Sequence, residues 1–292
     1  MIKCPYIKLN NGNEIPTIGM GTVLLGETEG EMQAAVDAAI EVGYRLFDTA
    51  ALYGNEKRLG DSLKNNGISR DELFVSSKLK NGHHRYDDAL KEFNKSISTL
   101  GVDYLDMYLI HYPCPEHGLY TEAWKALEHL YKEGYVRNIG VSNFNKSHLE
   151  RLLSGCEIKP AVDQLECNPY LTIKPLRKYL NEQGIQMEAW FPLGGPPVKK
   201  EGTYDPNINL LADPVIVSIA EQYRRSAAQV VLRWEVQSGM VVIPKSSNPE
   251  HMKQNMDVFD FSLSDEDMCK IDDMNIDYHC APDGDNCNEY WD

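Results

Sequence analysis

The chain reads as an α/β protein, a closed (β/α)8 barrel of the TIM type with an N-terminal β-hairpin cap. Two observations predict this. Short apolar runs alternate with amphipathic segments along almost the whole length, which points to a parallel sheet. About eight such units fit into 292 residues, which suits a closed barrel better than an open sheet. A third observation argues against the open, doubly wound alternative. That fold calls for Gly-x-Gly-x-x-Gly after its first strand, and here the first long run is followed by Asp48-Thr-Ala-Ala-Leu-Tyr53.

Taken in order, residues 1–20 form the hairpin, with Asn10-Asn11-Gly12-Asn13 as the turn signal between two extended pieces. A helix over about 30–42 leads to a strand at Tyr44–Phe47, and a helix near 56–65 leads to a strand at Leu73–Ser77. The pattern repeats as helix 87–100 with strand 104–110, helix 121–133 with strand 136–141, helix 146–153 with strand 162–166, and helix 173–182 with strand 186–190. A longer loop carrying Gly194, Gly195, Pro196 and Pro197 then precedes helices at 214–223 and 227–235. The last units are a strand at 240–243, a helix from Pro249, a short strand near Val258 and a helix at 264–274. A polar tail follows from 274 to 292.

Composition narrows the class. With 42% hydrophobic and 25% charged residues and no Pro/Gly/Ser-rich linker, residues 1–292 are expected to form one domain with a sizeable core. A net charge of −15 argues against nucleic acid and against an anionic membrane surface as partners. The one pair of adjacent lysines, Lys199-Lys200, is followed by Glu201 and reads as solvated surface. The N-terminus lacks the apolar stretch of a signal peptide and no run approaches a membrane span, so a cytoplasmic location is expected. Seven cysteines occur without a Cys-x-x-Cys pair, so neither a disulfide framework nor a structural zinc site is expected. Cys280 and Cys287, in the polar tail, read as the most exposed of the seven. His83-His84 reads as a solvated loop rather than a metal site.

In a barrel, chemistry gathers where strands end. The first long run ends at Asp48, the second at Lys78 and the third at His111, bringing an acid, a base and an imidazole to one rim. Later runs end in Ser142-Asn143, carry Gln164, and end at Trp190. A carboxylate at the end of a buried strand needs a cation beside it. A tyrosine in the next loop, Tyr53, can serve as a proton donor if a neighbouring ammonium lowers its pKa. Taken singly each residue has a plainer reading: Asp48 with Lys78 as a structural ion pair, His111 or Trp190 as core, Ser142, Asn143 and Gln164 as strand-end hydrogen bonders. Their convergence favours a site.

Four stretches resemble the aldo-keto reductases: Gly43-Tyr-Arg-Leu-Phe-Asp-Thr-Ala, Leu-Gly-Val-Asp-Tyr-Leu-Asp-Met-Tyr-Leu-Ile-His111, Gly134-Tyr-Val-Arg-Asn-Ile-Gly-Val-Ser-Asn-Phe144 and Ile243-Pro-Lys-Ser246. The likeness runs from about Leu9 to Met274, and is to bacterial-type carbonyl reductases such as those of diketogluconate and methylglyoxal. It implies a tetrad in which Tyr53 donates the proton to a carbonyl, Lys78 lowers its pKa, Asp48 keeps the lysine charged and His111 orients the carbonyl oxygen. Hydride would come from NADPH. Gly21 and Thr22 match the cofactor-binding segment, Ser142, Asn143 and Gln164 the nicotinamide-amide contacts, and Trp190 the ring that stacks on nicotinamide. Lys245 and Ser246 match the contacts to the 2′-phosphate, and Gln254 and Asn255 fall in the adenine-binding segment, where glutamate is more usual than Gln254.

The departures from the family pattern are informative. His251 stands where NADPH-preferring relatives carry arginine. Loss of that forked cation removes about 1.5–3 kcal/mol of charge-assisted hydrogen bonding, so NADPH is expected to be preferred with NADH less strictly rejected. Val23, Leu79 and Tyr112 stand where relatives often have tryptophan, implying a wider substrate pocket. The tail aromatics Tyr278, Tyr290 and Trp291 either close over that pocket or belong to a mobile end. The substrate would be a small carbonyl compound and the protein a monomer, a dimer being the alternative. Two rival functions use the same residues: a redox-sensing module that binds NADPH without turnover, and a Schiff-base aldolase with Lys78 as nucleophile.

Overall fold

The structure is a computed structural model describing residues 3–195 and 208–287. Lys199-Lys200, Tyr290 and Trp291 lie outside the described residues.

The hairpin forms as the turn signal requires. Strand β1 (Tyr6–Lys8) pairs antiparallel with β2 (Glu14–Pro16), and Gly12 takes the positive φ of 90° that the turn needs. Leu9 and Ile15 point into a core cluster with Leu46, Phe74, Met107 and Val162, the first residues of four barrel strands. Asn10 and Asn13 donate to the carbonyls of Pro160 and Arg137, just ahead of strands. The hairpin therefore stops the N-terminal end of the barrel and leaves the opposite end open.

The barrel consists of eight parallel strands in chain order, β3 (Gly19–Gly21), β4 (Leu46–Asp48), β5 (Phe74–Leu79), β6 (Met107–Ile110), β7 (Ile139–Ser142), β8 (Val162–Glu166), β9 (Gln186–Trp190) and β10 (Val241–Val242). A parallel bridge between Ile18 and Val242 brings the last strand beside the first. The count of eight agrees with the sequence reading, but the membership differs at both ends. Gly19–Gly21 opens the barrel, and the segment near Val258 is not a strand; Val258 is a fully buried coil residue. Gly-Met-Gly carries no apolar run, and its pairing comes from neighbours on both sides. A Cβ at Gly19 would lie 2.4 Å from the Leu46 side chain, and one at Gly21 2.7 Å from the Ile243 carbonyl oxygen.

Helices pack outside the strands. In α1 (Glu29–Val42), Met32, Ala35, Val36, Ala39 and Ile40 make one buried stripe at helical spacing. Thr28 and Glu31 close a reciprocal capping box at its start, and Gly43, at φ 128°, ends it. Helices α2 (Glu56–Asn65), α3 (Tyr86–Leu100), α4 (Tyr120–Lys132), α5 (Lys146–Leu153) and α6 (Lys174–Gln183) follow, of which α5 is again closed by a capping box, from Asn145 and His148. After the long loop come α7 (Pro214–Tyr223), capped by Asp213, and α8 (Ala227–Gln237), capped by Ser226. Then come α9 (Pro249–Met256), capped by Asn248, and α10 (Asp265–Asp272), capped by Ser264. The layer between helices and strands is the larger core; the smaller one fills the barrel beside the hairpin. No helix among the described residues is long and apolar enough to cross a membrane.

The segment after α10 is docked on the barrel as far as residue 287. Ile276 and Tyr278 donate their amides to the Tyr170 carbonyl, and Cys280 donates its own to Glu166 Oε1 at 2.7 Å. Cys280 and Cys287 are buried, contrary to the exposure expected from the polar residues around them. Burial here comes from docking on the open rim of the barrel, which composition does not register. His84 is likewise fully buried rather than solvated.

Candidate active site

At the open end, Asp48, Lys78, Tyr53 and His111 converge. Asp48 closes β4, and its Oδ2 lies 2.6 Å from Lys78 Nζ deep in the barrel, both side chains almost wholly buried. The ammonium has three protons and three acceptors: Asp48 Oδ2, the Thr49 carbonyl at 2.9 Å and the Tyr53 hydroxyl at 3.5 Å. Asp48 Oδ1 accepts from Gln164 Nε2 at 2.9 Å, so β8 braces the carboxylate from across the barrel.

Tyr53 sits half-buried on the 3-10 turn Ala51–Tyr53. Its position is set by a residue the sequence reading passed over. Asn55 is buried, accepts from Thr49 Oγ1 at 2.8 Å and donates to the carbonyls of Thr22 and Leu25. One amide thus ties the tyrosine turn to the loop that carries Val23. The edge of the His111 ring meets Tyr53, with centroids 5.7 Å apart and planes at 78°.

Charge states follow from this packing. Burial works against the Lys78 ammonium, yet Asp48 and Tyr53 outweigh it and its pKa lies above the ordinary value. Burial raises the Tyr53 phenol and the lysine charge opposes it; the net direction is upward, so the lowered pKa expected from the sequence is not what this arrangement gives. Burial, helped by the Lys78 charge, holds His111 well below the usual imidazole range. At neutral pH Lys78 is therefore an ammonium, Tyr53 a phenol with its proton and His111 a neutral imidazole.

A cavity of about 200 Å³ opens directly above. Gly21, Thr22, Val23, Tyr112, Trp190 and Lys245 all line it, as do Ser142, Asn143 and Gln164. The last three are already bonded among themselves and to the site. Ser142 Oγ donates to the Gln164 carbonyl, Asn143 Nδ2 donates to the His111 carbonyl at 3.0 Å, and Asn143 Oδ1 accepts from Trp190 Nε1 at 3.0 Å. Asn143 takes a positive φ of 62° to do so, a conformation that asparagine tolerates better than most residues. Phe191, Leu52 and Ala281 also line the cavity and were not anticipated. Phe191 stands edge-on to Trp190, centroids 5.0 Å apart, and Ala281 comes from the docked tail.

Leu79 is not at the pocket. Side chains alternate along β5, so with Lys78 directed to the barrel centre Leu79 faces outward, fully buried in the larger core. Ser246, His251, Gln254 and Asn255 stand beyond the cavity on the approach to α9 and on the helix itself. His251 and Gln254 are exposed, whereas Asn255 is buried next to Tyr44. Among the described residues, no group of three or more His, Cys, Asp or Glu side chains could hold a metal ion.

The profile of the aldo/keto reductase family matches residues 17–276. The chain belongs to the aldo/keto reductase family. It is 47% identical over 279 residues to glyoxal reductase of Bacillus subtilis, covering 96% of each chain. It is 43% identical over 282 residues to morphine 6-dehydrogenase of Pseudomonas putida, covering 96% of this chain and 95% of that one. Among solved structures, a Bombyx mori aldo-keto reductase in complex with NADP superimposes with a TM-score of 0.89 at 36% identity, over 98% of this chain and 97% of that one. The chain is accordingly an NAD(P)H-dependent oxidoreductase of carbonyl groups. The hairpin and most of the docked tail lie outside the matched residues.

Proposed function

We propose that this aldo/keto reductase reduces aldehydes or ketones with NADPH, using Tyr53 as general acid. The observation that carries the reading is the Asp48–Lys78–Tyr53 chain, 2.6 and 3.5 Å long, at the floor of a largely apolar cavity. NADPH, when bound, supplies the hydride. The protein's part is the proton. Tyr53 holds one at neutral pH and can release it to a carbonyl oxygen as that oxygen gains charge, and the adjacent ammonium stabilises the phenolate left behind. Asp48 keeps the ammonium charged, and neutral His111 can hydrogen-bond the same oxygen.

The residues around the cavity suit the cofactor. The Trp190 indole, fixed by Asn143, offers a flat face, and Gly21 has no side chain to crowd the Ile243 carbonyl. Lys245 is exposed at the outer end, ahead of the N-terminus of α9, where a phosphate would be favoured by charge and by helix polarity. The B. mori relative bound to NADP adds support.

The aldolase alternative is disfavoured, because a Schiff-base lysine must shed its proton, and Lys78 has all three of its protons engaged beside a carboxylate. The test is NADPH oxidation by purified protein against aldehydes, α-dicarbonyls and keto-sugars, with Tyr53→Phe in parallel. Turnover lost in the variant is expected. NADPH binding with no turnover on any carbonyl would overturn the reading.

A further inference from the structure

Cys114 and Cys287, 173 residues apart in sequence, meet beside the pocket with their sulfurs 3.9 Å apart. Both side chains are fully buried, and with Tyr112 they form a small apolar cluster separate from the two main cores. Cys114 lies three residues beyond His111. Cys287 lies in the docked segment, its thiol donating to the Gly284 carbonyl at 3.1 Å. Between the Glu166 anchor and this cluster, the segment gives Ala281 to the pocket wall. Gly284 packs so closely that a Cβ there would lie 2.0 Å from the Asn143 carbonyl oxygen. The tail is thus fastened at Glu166, the end of β8, and at Tyr170 just beyond it, and beyond β6 at the thiol pair, with Ala281 at the pocket between these anchors.

We propose that Cys114 and Cys287 form an intrachain disulfide on exposure to a small-molecule disulfide such as glutathione disulfide, and that this bond ties the C-terminal segment across the pocket mouth. Cys287 loses its proton to solvent and its sulfur attacks one sulfur of the oxidant, giving a mixed disulfide and one released thiolate. Cys114, also deprotonated, then attacks the Cys287 sulfur and displaces the second thiolate. Two protein thiols are oxidised and one disulfide is reduced to two thiols, so electrons and protons balance. The neighbouring Cys114 thiol holds the Cys287 pKa below the usual thiol value, which favours Cys287 as the first nucleophile. Closing the bond requires the sulfurs to approach by about 2 Å. The oxidant reaches Cys287 through local opening of the tail, the kind of low-energy fluctuation expected of a terminal segment.

Cys4 and Cys167 are buried away from the pair, and Cys156 is half-buried with its thiol pKa raised by burial. Cys280 is buried, with its pKa pushed up to about 12 by burial and by Glu166. Cys269 is exposed and would take up the oxidant by itself, so the experiment uses a Cys269→Ser background. That protein is incubated with glutathione disulfide, alkylated and examined by intact mass and peptide mapping, and proteolysis within 276–287 is timed. The expected result is a Cys114–Cys287 linked peptide with two hydrogens lost, cleavage slowed several-fold, and full reversal by dithiothreitol. Cys287→Ala should abolish both effects, and Cys114→Ala provides a second variant should the first fold poorly.

Separate alkylation of the two cysteines, glutathione retained on Cys287, or a link to another residue would each overturn the proposal. So would a correct link that leaves proteolysis unchanged. Turnover of a carbonyl substrate, which rests on the reductase reading, should fall several-fold in the linked protein; the mapping does not depend on that reading, so the two can fail separately.

Discussion

Lys78 Nζ stands 3.5 Å from the Tyr53 hydroxyl while its other contacts go to Asp48 and the Thr49 carbonyl. Because burial lifts the Tyr53 pKa more than the ammonium lowers it, the phenol keeps its proton through the neutral range. Carbonyl reduction should therefore hold level across neutral pH and decline only as the tyrosine deprotonates, above about pH 10. Alcohol oxidation, which needs the phenolate, should rise over the same alkaline range. Tyr53→Phe should lower kcat by about 10²–10⁴-fold. An oxidation rate that peaks in mild acid would remove Tyr53 from the proton-transfer role.

Asp48→Asn should be expensive for folding. It leaves a buried ammonium without its counter-charge, a loss of about 3–5 kcal/mol by urea denaturation at neutral pH. The sign with pH follows from Lys78, whose folded pKa lies above its unfolded value. Its stabilising contribution is complete below the unfolded pKa of about 10.4 and disappears as pH rises through the folded one. The variant should lack that alkaline loss.

Two buried carboxyl groups predict a second pH effect. Burial pushes Glu188 up to about 8, with the Asp48 carboxylate adding to it, and burial pushes Glu166 up to about 7. For an acid whose folded pKa is raised, stability is complete below the unfolded pKa and is lost as pH rises through the folded value. The melting temperature should therefore fall as pH climbs from about 4.5 to 8. Glu188→Gln, measured by calorimetry across that window, should flatten the curve; an unchanged slope would show that Glu188 ionises normally.

His251→Arg bears on the cofactor preference. His251 is exposed in the first turn of α9, ahead of which stands Lys245. A fixed forked cation should tighten NADPH binding by about ten- to a hundredfold and leave NADH almost unchanged. Fluorescence titration with both nucleotides decides it, and equal gains for the two would show that His251 does not face the 2′-phosphate.

Leu79 and Val23 separate packing from specificity. Leu79→Ala should cost about 2–5 kcal/mol of stability while leaving the kcat/KM ratio between small and bulky aldehydes as it was. Val23→Trp should shift that ratio toward the small ones with little change in the melting temperature. The reverse pattern would contradict the assignment of Leu79 to the core.

The same residues explain what the sequence could and could not disclose. Asp48, Lys78 and His111 were legible because a charged or polar residue at the end of an apolar run has few structural excuses, and three in succession converge only on a barrel rim. The alternation that turns Lys78 inward also turns Leu79 outward, so that misassignment was avoidable from period alone. Gly19–Gly21 was not: a three-residue strand without an apolar run exists because β4 lies beside it and the bridge to Val242 completes the ring. Asn55 was invisible for a related reason, since its partners at Thr22 and Leu25 are distant in the chain. The buried tail likewise depends on the rim it lies on, and Cys280 among polar neighbours carries no local trace of Glu166.

The opposed positions of the hairpin and the docked tail give substitutions in them different effects. The hairpin packs on the stoppered side of the barrel, so a substitution at Tyr6–Lys8 or Glu14–Pro16 acts on stability and leaves the mouth as it was. Residues 276–287 build part of the pocket wall, so a substitution there alters stability and substrate handling together.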